Sequence, residues 1–154
     1  MSLDRAWIEG RIPQQGRMCL LERVLAWDAE RAVCGAKSHR DPDNPLRARG
    51  RLGIACGIEY AAQAMAVHGA LLAQREDRPR LGYLASVRDV ALNASRIDDV
   101  AADLVIEAVR HSGDGNNVVY RFSVRADDRE LLSGRAAVVF DAGSRARDRA
   151  GHRA

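Results

Sequence analysis

The hydrophobic and polar positions of this chain change period twice. Between Met18 and His39, apolar residues at Leu20, Val24, Ala32 and Val33 flank a polar break at Asp28-Ala29-Glu30, which predicts two strands joined by a turn. From residue 54 to 73 the sequence IACGIEYAAQAMAVHGALLA places apolar residues at Ile58, Ala61, Ala62, Met65, Gly69 and Leu72. That spacing is helical, and the stretch has no Pro and many Ala. Twenty residues at the helical rise make about 30 Å, enough to cross a small domain. After the charged connector QREDRPR the period shortens again. LGYLASVRDVALN, ADLVIEAVRHS, NVVYRFSVRA and LLSGRAAVVF read as strands, with turn signals at Gly113-Asp114-Gly115-Asn116 and at Asp127-Asp128. Residues 5–10 read as a short helical or irregular lead-in, residues 13–16 (PQQG) as a turn, and residues 39–53 as an irregular loop that delivers the chain to the long helix. Two strands, one long helix and three or four further antiparallel strands predict an α+β architecture, a curved sheet wrapped around a central helix.

Two polar residues interrupt the helix. Glu59 and Gln63 are one turn apart and share a face, and Ala62, Ala66 and Ala70 continue that side without the Lys, Arg and Glu of a solvated stripe. The bland alternative is a wet stripe of an amphipathic helix. A carboxylate in apolar surroundings has its pKa pushed upward by desolvation and becomes a usable proton donor or acceptor near neutral pH. Glu59 is therefore the first candidate for chemistry.

Composition narrows the classes. A length of 154 residues with 47% hydrophobic and 29% charged residues describes one globular domain, and 5% aromatic residues argue against a base-stacking platform. The net charge of +3 owes part of its size to the last stretch, DAGSRARDRAGHRA. The domain is expected over residues 1–140, with residues 141–154 a disordered tail. No nucleic-acid binding and no membrane insertion are expected; the N-terminus MSLDRAWIEG lacks the features of a signal peptide, so the protein is expected in the cytoplasm. Cys19, Cys34 and Cys56 are unclustered and no two His stand at ligand spacing, so neither a disulfide framework nor a metal site is indicated. His68, half-way round the helix from Glu59, reads as structural. Arg88 interrupts an apolar strand, either pairing with a carboxylate or facing a subunit interface. Arg47, Arg49 and Arg51, with Arg75, Arg78 and Arg80, form either a basic rim that steers an acidic partner or plain solvated charge.

Two motifs carry a family resemblance. Residues 13–24, PQQGRMCLLERV, are similar to an N-terminal Pro-His-Arg-x-Pro-hydrophobic run that ends in Asp-Arg-Val, and Ile58-Glu59-Tyr60-Ala61-Ala62-Gln63-Ala64 resembles a Glu-x-Met-Ala-Gln signature on a central helix. Residues 82–88, GYLASVR, look like the strand after that helix. The chain thus resembles, over roughly residues 12 to 140, the hotdog-fold 3-hydroxyacyl-[acyl-carrier-protein] dehydratases, in a divergent branch associated with aryl-polyene or lipid-like biosynthesis.

The resemblance implies a lyase that needs no cofactor, acts on an acyl carrier protein or CoA thioester, and works as a homodimer or an oligomer of dimers. It implies that Glu59 handles the substrate hydroxyl as an acid. Backbone N–H groups around Gly53, Ile54, Ala55 and Cys56 would polarise the thioester carbonyl, Gly57 would let an acyl chain pass close to the helix, and Gln63 belongs to the same binding set. The usual dehydratase base is a His ahead of the helix; here Asn44 falls about where it is expected, and an amide cannot take a proton at neutral pH. His39 lies five residues earlier and reaches the site only with a different loop path. Two alternatives follow: a weakly catalytic subunit that partners a His-bearing paralogue in a mixed dimer, and a thioesterase in which a lone carboxylate activates water.

Overall fold

The structure, a computed structural model, describes residues 2–76, 81–114 and 116–141. The chain opens with a one-turn helix, α1 (Arg5–Glu9), whose first turn is closed by the Asp4 carboxylate accepting from the Trp7 N–H at 3.1 Å. A hairpin follows, β1 (Arg23–Trp27) and β2 (Arg31–Ala36), turned by Asp28, whose Oδ1 accepts from the N–H groups of Glu30 and Arg31. The loop to the central helix ends in a single 3-10 turn at Ile54–Cys56, and α2 then runs over Gly57–Glu76. Four long strands follow among the described residues: β3 (Leu81–Leu92), β4 (Leu104–Asp114), β5 (Asn117–Ala126) and β6 (Arg129–Asp141).

All six strands form one antiparallel sheet in the order β1-β2-β4-β5-β6-β3. β5 alternates strictly, with Val118, Tyr120, Phe122, Val124 and Ala126 buried and the residues between them facing out. The buried face lies against α2, whose Tyr60, Ala61, Ala64, Met65 and Val67 enter the same core. This is the α+β arrangement that the periodicity predicts, a helix laid along a curved antiparallel sheet. No helix among the described residues is long and apolar enough to cross a membrane.

Close approach of helix and sheet depends on missing side chains. A Cβ on Gly69 of α2 would lie 2.8 Å from Cε1 of Phe140, and one on Gly82 of β3 equally near, so the Phe140 ring occupies a slot between two glycines. At Gly57 the space of a Cβ is filled by Leu132 of β6. Gly57 therefore serves helix-to-sheet packing, a role the sequence reading did not assign when it gave this residue to an acyl chain.

Three local expectations change. The α-helix begins at residue 57 rather than 54, because residues 54–56 take the tighter 3-10 turn. Arg47 is not rim charge: its guanidinium donates to the carbonyls of Asp41, Gly50 and His39 and approaches Asp98 at 3.9 Å, so it braces the loop from within. Arg88 is exposed and has no carboxylate partner among the described residues. Arg78, Arg80, Gly115 and residues 142–154 lie outside the described residues, as does the side chain of Arg75; of the tail expected over residues 141–154 only Asp141 is described, as the last residue of β6.

Candidate functional site

Glu59 stands in the first turn of α2, half-buried, on the side that Ala62, Ala66 and Ala70 continue. Its Oε1 accepts from two carboxamides, Gln63 Nε2 at 3.3 Å and Gln14 Nε2 at 3.4 Å. Oε2 has no hydrogen-bond partner among the described residues. The carboxylate opens on a cavity of about 140 Å³ whose apolar walls include Met65, Ala66, Leu84, Val138 and Phe140. Within that lining Glu59 is the one titratable side chain. A carboxylate held by two donors on one oxygen and free on the other is oriented for proton exchange with something in the cavity.

The two carboxamides are held differently. Gln63 is fully buried; its Oε1 accepts from the Leu20 N–H at 2.9 Å and its Nε2 also donates to the Met18 carbonyl at 2.7 Å. It pins the segment after α1 to the helix and positions Glu59, with its amide committed to protein. Gln14 lines the cavity, and its Oε1 is buried with no partner. The sequence reading did not single out Gln14. The signal was present in its place within the Pro13-Gln14-Gln15 motif, but the contact spans 45 positions of chain and only folding makes it.

Asn44 is buried at the centre of a separate network. Its Nδ2 donates to the Ser38 carbonyl (2.9 Å) and to the Tyr60 hydroxyl (3.1 Å), and its Oδ1 accepts from the Leu46 N–H. Ser38 Oγ donates to the Leu20 carbonyl at 2.7 Å and stands 2.8 Å from the Tyr60 hydroxyl, so Tyr60 donates to Ser38 while accepting from Asn44. Asn44 thus reaches Glu59 only indirectly, through Tyr60, Ser38, Leu20 and Gln63. Burial pushes the Tyr60 phenol up from its usual range.

His39 is fully buried, with Nε2 between the carbonyls of Val100 (3.0 Å) and Ala102 (3.1 Å). Both partners accept, so Nε2 carries the proton and Nδ1 does not; Nδ1 has no partner among the described residues. Burial pushes the ring's pKa below the ordinary value. Neither His39 nor Asn44 lines the cavity that Glu59 faces. His68 is an interior histidine: Nε2 donates to the Asp28 carbonyl at 2.9 Å, Nδ1 accepts from the Tyr120 hydroxyl at 2.7 Å, and burial again lowers its pKa.

The donors at the helix entry are largely engaged. The Ile54 N–H donates to the Ser95 carbonyl at 3.0 Å and the Cys56 N–H to the Gly53 carbonyl at 2.9 Å. The sequence reading takes both to be available, and the 3-10 turn with its bridge to the 95–97 segment removes them. Asp98 locks this entry. Its carboxylate receives Arg96 and the Leu52 N–H (2.9 Å), and Arg96 chiefly holds its pKa well below the usual carboxylate range. Cys19 and Cys34 are buried and Cys56 half-buried, all unpaired; burial pushes the Cys34 thiol up to about 12.

Comparison with known proteins brings these observations together. The family model described as ApeP-like, ApeP dehydratase, matches residues 7–146. No curated protein matches. Among solved structures, a chain of the dehydratase heterocomplex ApeI:P from Xenorhabdus doucetiae superposes with a TM-score of 0.79 at 20% identity, covering 89% of this chain and 92% of that one. A putative thioesterase from Shewanella oneidensis gives 0.62 at 12% identity over 89% and 93%. A mutant thioesterase from Pseudomonas aeruginosa gives 0.57 at 13% identity over 77% and 79%. At such identities these likenesses speak for the fold, which is the hotdog fold. The family match covers nearly the whole chain, and both stretches that surround Glu59 fall inside it: this chain belongs to the ApeP-like dehydratase family.

Proposed function

We propose that the protein dehydrates a 3-hydroxyacyl thioester, carried on an acyl carrier protein, to the 2-enoyl thioester. The observation that carries this reading is Glu59, bracketed by two carboxamides and presented with one free oxygen to an apolar cavity. In the reaction a base takes a proton from C2 and the C–H electrons become the C2=C3 bond. The C3–O bond breaks as the hydroxyl receives a proton and leaves as water. Glu59 supplies that proton, a transfer that typically contributes about 10²- to 10⁴-fold. The cavity walls hold the start of an acyl chain and keep bulk water from the developing enolate.

The C2 proton needs a base, and the cavity lining offers no second titratable group among the described residues. Asn44 cannot act as one, and His39 has its Nε2 tied to Val100 and Ala102. A second subunit therefore completes the site. Strand β3 is the attachment edge: it ends the sheet and exposes Tyr83, Leu84, Val90 and Leu92. The partner is either a second copy of this chain or a His-bearing paralogue. The mixed dimer is supported by the lack of a base here and by the likeness to a chain from a heterocomplex.

Mass spectrometry of a 3-hydroxyacyl carrier protein incubated with the purified protein tests the reading. Loss of one water with the wild-type chain, abolished by Glu59→Gln, supports a self-sufficient enzyme. Activity only after mixing with a His-bearing paralogue, still sensitive to Glu59→Gln, supports the mixed dimer. An unchanged substrate under both conditions overturns dehydration, and release of free acid replaces it with thioester hydrolysis.

A further inference from the structure

The face of the sheet turned away from α2 carries an unusual row of charge. Pairing sets Arg31 of β2 opposite Val109 of β4, Val109 opposite Arg121 of β5, Arg121 opposite Arg135 of β6, and Arg135 opposite Arg88 of β3. Directly opposite residues share a face, so four of these five side chains are arginines on one side, and all four are exposed. Like charges placed directly opposite one another destabilise a sheet. Arg31 has counter-ions, Glu107 at 2.9 Å and Asp28 at 4.0 Å. Arg88, Arg121 and Arg135 have no ion pair among the described residues. Arg121 and Arg135 border a groove of about 370 Å³ on this face.

Solvated arginines are common, but here three neighbours in register have no ion pair among the described residues, although Asp89, Glu107 and Glu130 share the face. We propose that this face docks an acidic helix of a partner protein, laid across the strands along the arginine row. Adjacent strands stand about 4.8 Å apart, so Arg121 to Arg88 spans about 10 Å and the full row from Arg31 about 19 Å. One small anion covers too little of that length. Acidic side chains three or four residues apart on a helix recur every 5–6 Å or so, close to the strand spacing and within the reach of an arginine. Each guanidinium then takes one carboxylate in its planar fork.

Asp89, Glu107 and Glu130 also line the groove. They would face a continuous polyanion along its length and disfavour nucleic acid, while leaving room for discrete carboxylates. Arg121 and Arg135 lie two strands and one strand in from the β3 edge, so they stay accessible when a second subunit pairs there. They face away from the Glu59 cavity, since Val138 and Phe140, which line that cavity, alternate with Arg135 on β6.

The probe is a labelled helical peptide of about 18 residues with Glu at i, i+4, i+7 and i+11, titrated against the full chain by fluorescence anisotropy at low ionic strength. The expected result is binding that weakens with added salt, vanishes for the Glu→Gln peptide, and weakens about tenfold or more in Arg121→Glu/Arg135→Glu protein. Arg121→Lys/Arg135→Lys should fall between, and circular dichroism should show both variants folded. Absence of binding, or equal binding by the charge-reversed protein, overturns the proposal. So does tighter binding of a single-stranded oligonucleotide that the same variants abolish.

Discussion

Glu59 owes its orientation to two glutamines that should respond differently to mutation. Gln63 has every polar atom engaged, so Gln63→Leu leaves the buried Leu20 N–H and the part-buried Met18 carbonyl without this partner. The expected cost is about 1–3 kcal/mol for each, seen as a lower Tm or urea midpoint. Gln14→Ala removes only one donor to Glu59 and should leave Tm nearly unchanged while slowing dehydration; a large loss of stability would move Gln14 from positioning to structure. Two interior histidines add pH dependence. His39 and His68 have folded-state pKa values lowered by burial, so the unfolded chain takes up protons first as the pH drops. Their contribution is fully present above about pH 6.5 and is lost as pH falls from there through the lower folded values, about 1.4 kcal/mol for each pH unit of that window and each ring. Asp98 adds a second loss lower down, because its depressed pKa makes its contribution fade only below about pH 4. Thermal unfolding followed from pH 8 to pH 4 should fall first below 6.5, and a profile flat to pH 4 contradicts the assignment of neutral buried rings.

At the scale of elements, α2 reaches the sheet because glycines stand where helix and sheet meet. An alanine is a better helix former than glycine, by about 1 kcal/mol in an open position. At Gly69 that gain is opposed by Phe140, whose ring edge lies 2.8 Å from the would-be Cβ and which is also hemmed in by Gly82. Gly69→Ala should therefore destabilise by about 1–3 kcal/mol, and Phe140→Leu should relieve part of that cost in a double-mutant cycle read by denaturant unfolding. Additive effects would mean that the ring has another place to go. The same element carries Glu59 on its less buried side, so the close packing that holds the helix also fixes the depth of the cavity.

The whole molecule presents two unlike surfaces, an apolar open edge at β3 and an arginine row on the outer face. Leu92 is 50% exposed and Val90 37% exposed on a strand whose far side has no neighbouring strand among the described residues. Replacing both with Lys should hold the chain monomeric in analytical ultracentrifugation and abolish dehydration together with assembly. A variant that stays dimeric, or a monomer that keeps full activity, speaks against a site completed across this edge.

The sequence by itself determined the elements and the fold class, because helical and strand periods are local properties set by which residues need burial. It also singled out Glu59, a carboxylate on the alanine side of a long apolar helix. Tertiary structure alone decided what surrounds that carboxylate. The contact of Gln14 with Glu59, the use of the Ile54 amide by the Ser95 carbonyl, the burial of His39 against residues 100–102, and the enclosure of Asn44 by Tyr60 all join positions well separated in the chain. Spacing along a sequence specifies the face on which a side chain lies. What meets that face depends on the path of the loop and the register of the sheet, and those are settled only when the core closes.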